Sequence, residues 1–235
     1  DRAELEHEVG IIVRTWGDAL DDALAVAHPA ERAATLAARY KDAFSGGYRE
    51  AYSAATAVSD IRVLEGLSAE NPVDIDFYRR DGSPATSANL RVGGAGRPIP
   101  LSERVPVLEN MGFKVVDERT FRIDPAGGAV AEVWFHDMLL ERDDGSAIEH
   151  DAIAGRLEAA MLAVMRGEAE NDGFNALVLA ADLPWRDVAV LRTIARFLRQ
   201  ARIAYSQDYL STTLRKHAAI TTRIFSLFQT KFDPR

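Results

Sequence analysis

Glu168, Glu170, Asp172 and Asn175 crowd the stretch RGEAENDGFN between two apolar runs. Oxygen-bearing side chains at alternating positions are the raw material of a hard-cation site, and the spacing tests that idea. With Glu168 as position one of a calcium loop, Glu170, Asp172 and Gly173 fall at three, five and six. Position nine is then Ala176, and position twelve, where a bidentate carboxylate is required, is Leu179. The match fails where the affinity would arise. A helix entry fits better: Asn171 or Asp172 caps the next helix, and Asn175, three residues past Asp172, stands where a capping box has its second member. These three residues read as structural caps, with no metal ligand among them.

Other chemistry-bearing patterns are sparse. GGAGRP, from Gly93 to Pro98, contains a G-x-G but no third glycine, and a proline follows, so the dinucleotide fingerprint is incomplete. A glycine loop leading to a helix near Ser102 offers backbone N–H groups to a carboxylate, with Arg97 beside them. The competing reading is a plain connection. No P-loop, G-x-S-x-G or H-E-x-x-H occurs. The histidines at 7, 28, 136, 150 and 217 are scattered, and His136 reads as a packed strand residue. Arg192, Arg196, Arg199 and Arg202 share one helix face, with Leu191, Ile194, Phe197 and Leu198 on the other. Phosphate binding is one use of such a face; docking on acidic surface, or plain solvation, is preferred because the basic side lacks interleaved aromatics.

The elements that position these residues follow from periodicity. Leu5, Val9, Ile12, Val13, Trp16, Leu20 and Leu24 form one stripe, predicting a long helix that ends at His28-Pro29. A second helix carries Leu36, Tyr40 and Phe44; Ser45-Gly46-Gly47 breaks it, and a third runs from Tyr48 to about Leu67. Val73, Ile75 and Phe77 alternate with polar neighbours, which predicts a strand, a turn and a second short strand through Gly94. A helix over LSERVPVLENM stops at Gly112, and two strands flank the DPAGG turn. Everything from Ala147 onward reads as helical. The middle matches a ferredoxin-like unit whose last strand and second helix have moved to the front, a circular permutation. The fold class is therefore α+β: mostly helical, with a central four-stranded antiparallel ferredoxin-like sheet flanked by helical segments. Expected boundaries are 1–45 for the N-terminal helices, 46–145 for the α+β module and 146–235 for the C-terminal helices.

Composition bounds the rest. The 235 residues carry 47% apolar and 27% charged residues, ordinary values for a globular chain. Cysteine is absent, which excludes disulfides, thiolate nucleophiles and Cys-based metal sites, and suits a cytoplasmic location. No apolar run approaches the roughly 20 residues that span a bilayer. The chain opens at Asp1 and reads as a piece of something longer. Its net charge of −8 is uneven: from Pro184 onward ten Lys or Arg face three Asp or Glu, which leaves the remainder strongly acidic.

Four stretches together, LSERVPVLENMGFKVVDERTF, VWFHDMLLE, GEAENDGFNALVLAADLPWRDVAVLRTIARFLRQARIAYSQDYL and LFQTKFDP, resemble the large-subunit bacterial NAD-dependent glutamate dehydrogenases. The resemblance covers most of the chain and places it upstream of the catalytic region, in a portion with ACT-like and helical segments. It implies oxidative deamination of glutamate to 2-oxoglutarate and ammonia with NAD by the whole enzyme. It implies no catalytic residue and no bound NAD in this stretch, since the family's catalytic and nucleotide-binding motifs have no counterpart here. The central sheet becomes ACT-like, and Gly94, Gly96, Arg97 and Ser102 become the residues nominated for an amino-acid effector. Implied partners are the remaining domains and subunits of the same enzyme. The alternatives are a free-standing amino-acid-sensing module and, last, nucleic-acid binding through the basic C-terminal helices.

Overall fold

The computed structural model describes residues 15–80, 82–127, 130 and 132–232. The first helices are α1 (Trp16–Ala27), α2 (Ala30–Tyr40), α3 (Gly46–Ala51) and α4 (Ala54–Glu65). Then come β1 (Val73–Tyr78), β2 (Ser87–Ala95), α5 (Leu101–Asn110), β3 (Phe113–Ile123) and β4 (Val133–Arg142). The remainder is helical: α6 (His150–Met165), a 3₁₀ turn (Gly173–Ala176), α7 (Leu177–Ala180), α8 (Trp185–Gln200), α9 (Gln207–Lys216) and α10 (Ala218–Phe232).

The strands form one antiparallel sheet in the order β1-β2-β4-β3. Both β2 and β3 run against β4, so they are parallel to each other, joined by α5 with β4 inserted between them. That is a split β-α-β unit. Strand β1 lies beside β2, in the place the permuted reading gives to the displaced last strand. The mostly helical α+β class and the four-stranded sheet are as expected.

The helix boundaries differ from the periodicity at three points, two of them set by side-chain caps and one by a β-bridge. Thr15 is extended, and its hydroxyl and the Asp18 carboxylate form a reciprocal capping box that starts α1 at Trp16. Leu5, Val9, Ile12 and Val13, the first part of the expected stripe, lie outside the described residues. Phe44 lies past the end of α2 and instead forms an isolated antiparallel bridge with Ile123. The expected helix from Tyr48 to Leu67 is two helices. Ser45 caps the first by accepting from the Tyr48 N–H, and Ser53 caps the second by accepting from the Thr56 N–H.

The chain packs into two compact units. The first takes its residues from 1–74, 91–98 and 119–136, the second from 75–90, 99–118 and 137–235. In the first unit the core is aromatic. Phe44 stacks on Tyr48 with ring centroids 4.5 Å apart, and Trp16, Tyr52, Phe121 and Phe135 meet Tyr48 edge-on or tilted. Such pairs contribute about 0.5–1.5 kcal/mol each beyond the area they bury. The end of α4 lies close on β2: a Cβ at Gly93 would come within 3.2 Å of Val63 Cγ1 and Leu67 Cδ1. A larger residue there would require those two side chains to give by a few tenths of an ångström.

In the second unit, α5 ends at Met111, and Gly112 turns the chain into β3 with a φ of +93°. Edge strand β1 is closed by side chains of α6. The Phe77 N–H donates to Glu158 Oε1 at 2.8 Å, and His150 Nε2 lies 2.6 Å from the Phe77 carbonyl oxygen. The His150 ring also stacks on Phe77.

Candidate functional site

The polar stretch at 168–175 is a joint of the second unit. Asp172 is extended and its carboxylate accepts from the Phe174 N–H at 3.0 Å, capping the 3₁₀ turn. The same carboxylate takes two parallel bonds from Arg192 on α8, Nε to Oδ2 at 2.7 Å and Nη2 to Oδ1 at 2.9 Å. Arg192 also donates to Asn175 Oδ1 at 2.6 Å, and Asn175 Nδ2 donates to the Glu170 carbonyl at 2.8 Å. Arg196 forks onto the Glu170 carboxylate, and Asn110 Nδ2 reaches Asn171 Oδ1 at 2.9 Å. One arginine thus ties α8 to the loop while the loop caps the turn.

Asn175 does not complete a capping box. Its amide is consumed by Glu170 and Arg192, so it braces the loop from within rather than returning to the Asp172 backbone. Arg192 is also not on a solvated face: its side chain is 5% exposed, and the buried positions of α8 are Val188, Leu191, Arg192 and Ala195. Phe197, read as part of the apolar face, is 66% exposed. The missed signal was positional. Arg192 follows Val188 by four and precedes Ala195 by three, which places it on the inward stripe.

The arrangement offers little catalytic chemistry. The guanidinium is charge-paired and hydrogen-bonded, the carboxylate carries a cap, and neither is left as a nucleophile or base. Among the described residues no group of three or more His, Asp or Glu forms a metal-ligand cluster. No helix among them is long and apolar enough to cross a membrane.

The residues nominated for an effector are distributed as follows. Gly94 lies inside β2 and is buried. Gly96 follows the strand, and its N–H donates to the Glu132 carbonyl at 2.9 Å. Arg97 is exposed beside it, within the first unit. Ser102 belongs to the second unit, exposed in the first turn of α5, where Pro100 provides no side-chain cap. The glycines do not make a dinucleotide cradle: Gly93 and Gly94 are strand residues, and the Gly96 N–H is already engaged.

Two further buried networks escaped the sequence reading. In the first unit, Tyr48 donates its hydroxyl to Asp60, whose other oxygen lies 2.7 Å from Arg91 Nε on β2. Burial, together with the negative Asp60, pushes the Tyr48 hydroxyl pKa far above its usual value, so it stays a proton donor. In the second unit, Tyr78 donates to both Asp137 oxygens, at 3.0 and 3.1 Å, and Arg80 pairs with the same carboxylate. His136 meets the Thr120 hydroxyl at 2.8 Å, a packed strand contact.

Known families match this layout in order along the chain. The model described as glutamate dehydrogenase, helical motif 2, covers residues 23–67; glutamate dehydrogenase, ACT3 domain, covers 72–153; and glutamate dehydrogenase, helical motif 3, covers 169–234. Along its length the chain is similar to the NAD-specific glutamate dehydrogenases. The ACT3 match contains the whole four-stranded sheet, and the helical motif 3 match opens on the joint at Glu170 and Asp172. Similar proteins include the NAD-specific glutamate dehydrogenases of Halomonas elongata, 38% identical over 234 residues, and Pseudomonas aeruginosa, 33% identical over 232 residues. The Mycobacterium tuberculosis protein of the same name is 34% identical over 226 residues. These alignments cover 94–100% of the chain but 14% of each relative, so the chain spans about a seventh of the length of the relatives it matches.

Proposed function

We propose that these residues are a regulatory and assembly segment of an NAD-dependent glutamate dehydrogenase, set apart from its catalytic region. The reading rests on one observation, the ordered run of a helical motif, an ACT3 domain and a second helical motif across residues 23–234. The whole enzyme then oxidises L-glutamate with NAD and water to 2-oxoglutarate, ammonia and NADH. The geometry supports a non-catalytic role for this part. Its polar clusters at Asp172, Asp60 and Asp137 are buried or bonded to neighbouring elements, which suits holding helices and strands in register.

The test uses the full-length protein. Glutamate-dependent formation of NADH, followed by absorbance, is expected from the full chain and not from residues 1–235 alone. Turnover by the short chain would reassign catalysis to it, and no turnover by the active-folded full chain would remove the dehydrogenase reading. An assembly role further predicts that Asp172→Ala in the full chain changes the oligomer distribution in sedimentation more than it changes the KM for glutamate.

A further inference from the structure

Helix α10 has two apolar sides. One faces its own unit: Thr221 and Phe225 are buried, and the Thr222 hydroxyl donates to the Ala181 carbonyl at 3.0 Å. The other side is bare. Ile220, Ile224 and Leu227 follow one another by four and three, forming a single ridge, and they are 55%, 45% and 70% exposed. Phe232, 61% exposed, lies round the helix from this ridge, against Phe228. Arg223 borders the ridge and Lys231 follows Leu227 one turn on, and α10 itself contains no acidic residue.

Size and charge narrow the occupant. A large apolar side chain carries on the order of 150–250 Å², so the three half-exposed ones offer roughly 300–400 Å². Stable association of separate molecules buries about 800 Å² on each partner, about twice that. A small face can nonetheless stay occupied when its partner is tethered, because linkage supplies an effective concentration in the millimolar range. The relatives supply such a tether, since the matched stretch is 14% of their length. The backbone of α10 is satisfied within the helix, so the ridge recognises side chains and suits a second helix laid along it. The basic flanks call for acidic ones opposite.

We infer that the Ile220–Ile224–Leu227 ridge of α10 is the seat of an amphipathic helix with acidic flanks, supplied by the same polypeptide from outside residues 1–235. This rests on the reading of the chain as part of a longer dehydrogenase, and it names the surface through which that part is joined to the rest.

The test is made in the full-length protein, with a photo-reactive phenylalanine derivative in place of Leu227 and equal amounts of heavy- and light-isotope copies. After irradiation and digestion, mass spectrometry is expected to show a cross-link within one copy to an apolar segment bordered by Asp or Glu outside residues 1–235. Arg223→Glu should reduce its yield several-fold. Cross-links that mix heavy and light copies, links confined to residues 1–235, or a Leu227 position that reacts only with solvent would each overturn the inference. Glutamate turnover is measured on the same sample. Turnover without the cross-link sinks the docking surface alone, whereas the cross-link without turnover sinks the dehydrogenase reading and leaves the surface standing.

Discussion

At the residue scale the chain separates ion pairs that matter from those that do not. Arg192 is buried and fully engaged by Asp172 and Asn175, whereas Arg196 and Glu170 are each about half exposed. Removing one member of a fully buried pair strands the other charge, at a cost of about 3–5 kcal/mol, while an exposed pair contributes about 0–1 kcal/mol; with Arg192 5% and Asp172 32% exposed, their pair falls between the two. Asp172→Ala should therefore lower the urea midpoint strongly, with loss of its cap adding about 1 kcal/mol, and Arg196→Met should hardly move it. Glu65 makes a second case. Burial pushes its pKa up, but bonds from Arg39, Tyr40 and Arg32 outweigh that and hold it below its ordinary 4.5. A depressed carboxylate stabilises the fold above its unfolded pKa, and that contribution is lost as pH falls through the folded value. Denaturation of the native chain and Glu65→Gln should thus differ by a constant amount above about pH 6, and the gap should close below pH 4.5. The cap at Asp172 was legible because its side chain acts two residues away. Its pairing with Arg192, twenty residues on, was not, since no local spacing records which turn of α8 meets the loop.

At the scale of elements, the sheet was readable and the first helices only partly so. β-alternation and turn residues are local, and β1, β2, β3 and β4 emerge where Val73, Ser87, Phe113 and Val133 open their runs. Tyr40, Phe44, Tyr48 and Tyr52, each four apart, mimic one continuous helical stripe. The aromatic cluster forms, but from a chain that is capped afresh at Ser45 and Ser53. Periodicity reports which side chains share a core; serine caps report where the backbone restarts, and here the caps prevail. The closing of edge strand β1 was invisible for the same reason as Arg192. Glu158 and Phe77 are far apart in sequence, and only the fold joins them. A charge-assisted bond of this kind contributes about 1.5–3 kcal/mol. Glu158→Ala should consequently speed hydrogen exchange at the Phe77 amide by about 10- to 100-fold, as read by NMR or mass spectrometry. Exchange unchanged at Phe77 would mean that β1 is protected by its sheet alone.

At the scale of the whole molecule, the charge asymmetry, for which nucleic-acid binding was the last of the readings, has an internal destination. Of the ten basic residues after Pro184, Arg192 is committed to Asp172, Arg196 to Glu170 and Arg215 to Asp143, all within the second unit. The hydrogen bond from Arg215 to Asp143 is the largest cause of its raised pKa, with the charges of Asp143 and Asp144 adding to it against the effect of burial. A guanidinium already neutralised by a carboxylate releases few counterions when a phosphate approaches, and counterion release is the source of non-specific nucleic-acid affinity. With the total charge at −8, long-range attraction is also unfavourable. Binding to duplex DNA by the full-length protein should accordingly stay weaker than about 10⁻⁴ M even at 50 mM salt, the weak end of ordinary non-specific binding. A titration by fluorescence anisotropy decides it. Tight binding whose logarithm falls steeply with the logarithm of salt would show that the remaining basic residues of α8 to α10 act together on phosphate. A flat, weak response leaves their surface to protein contacts, which is what the exposed ridge of α10 requires.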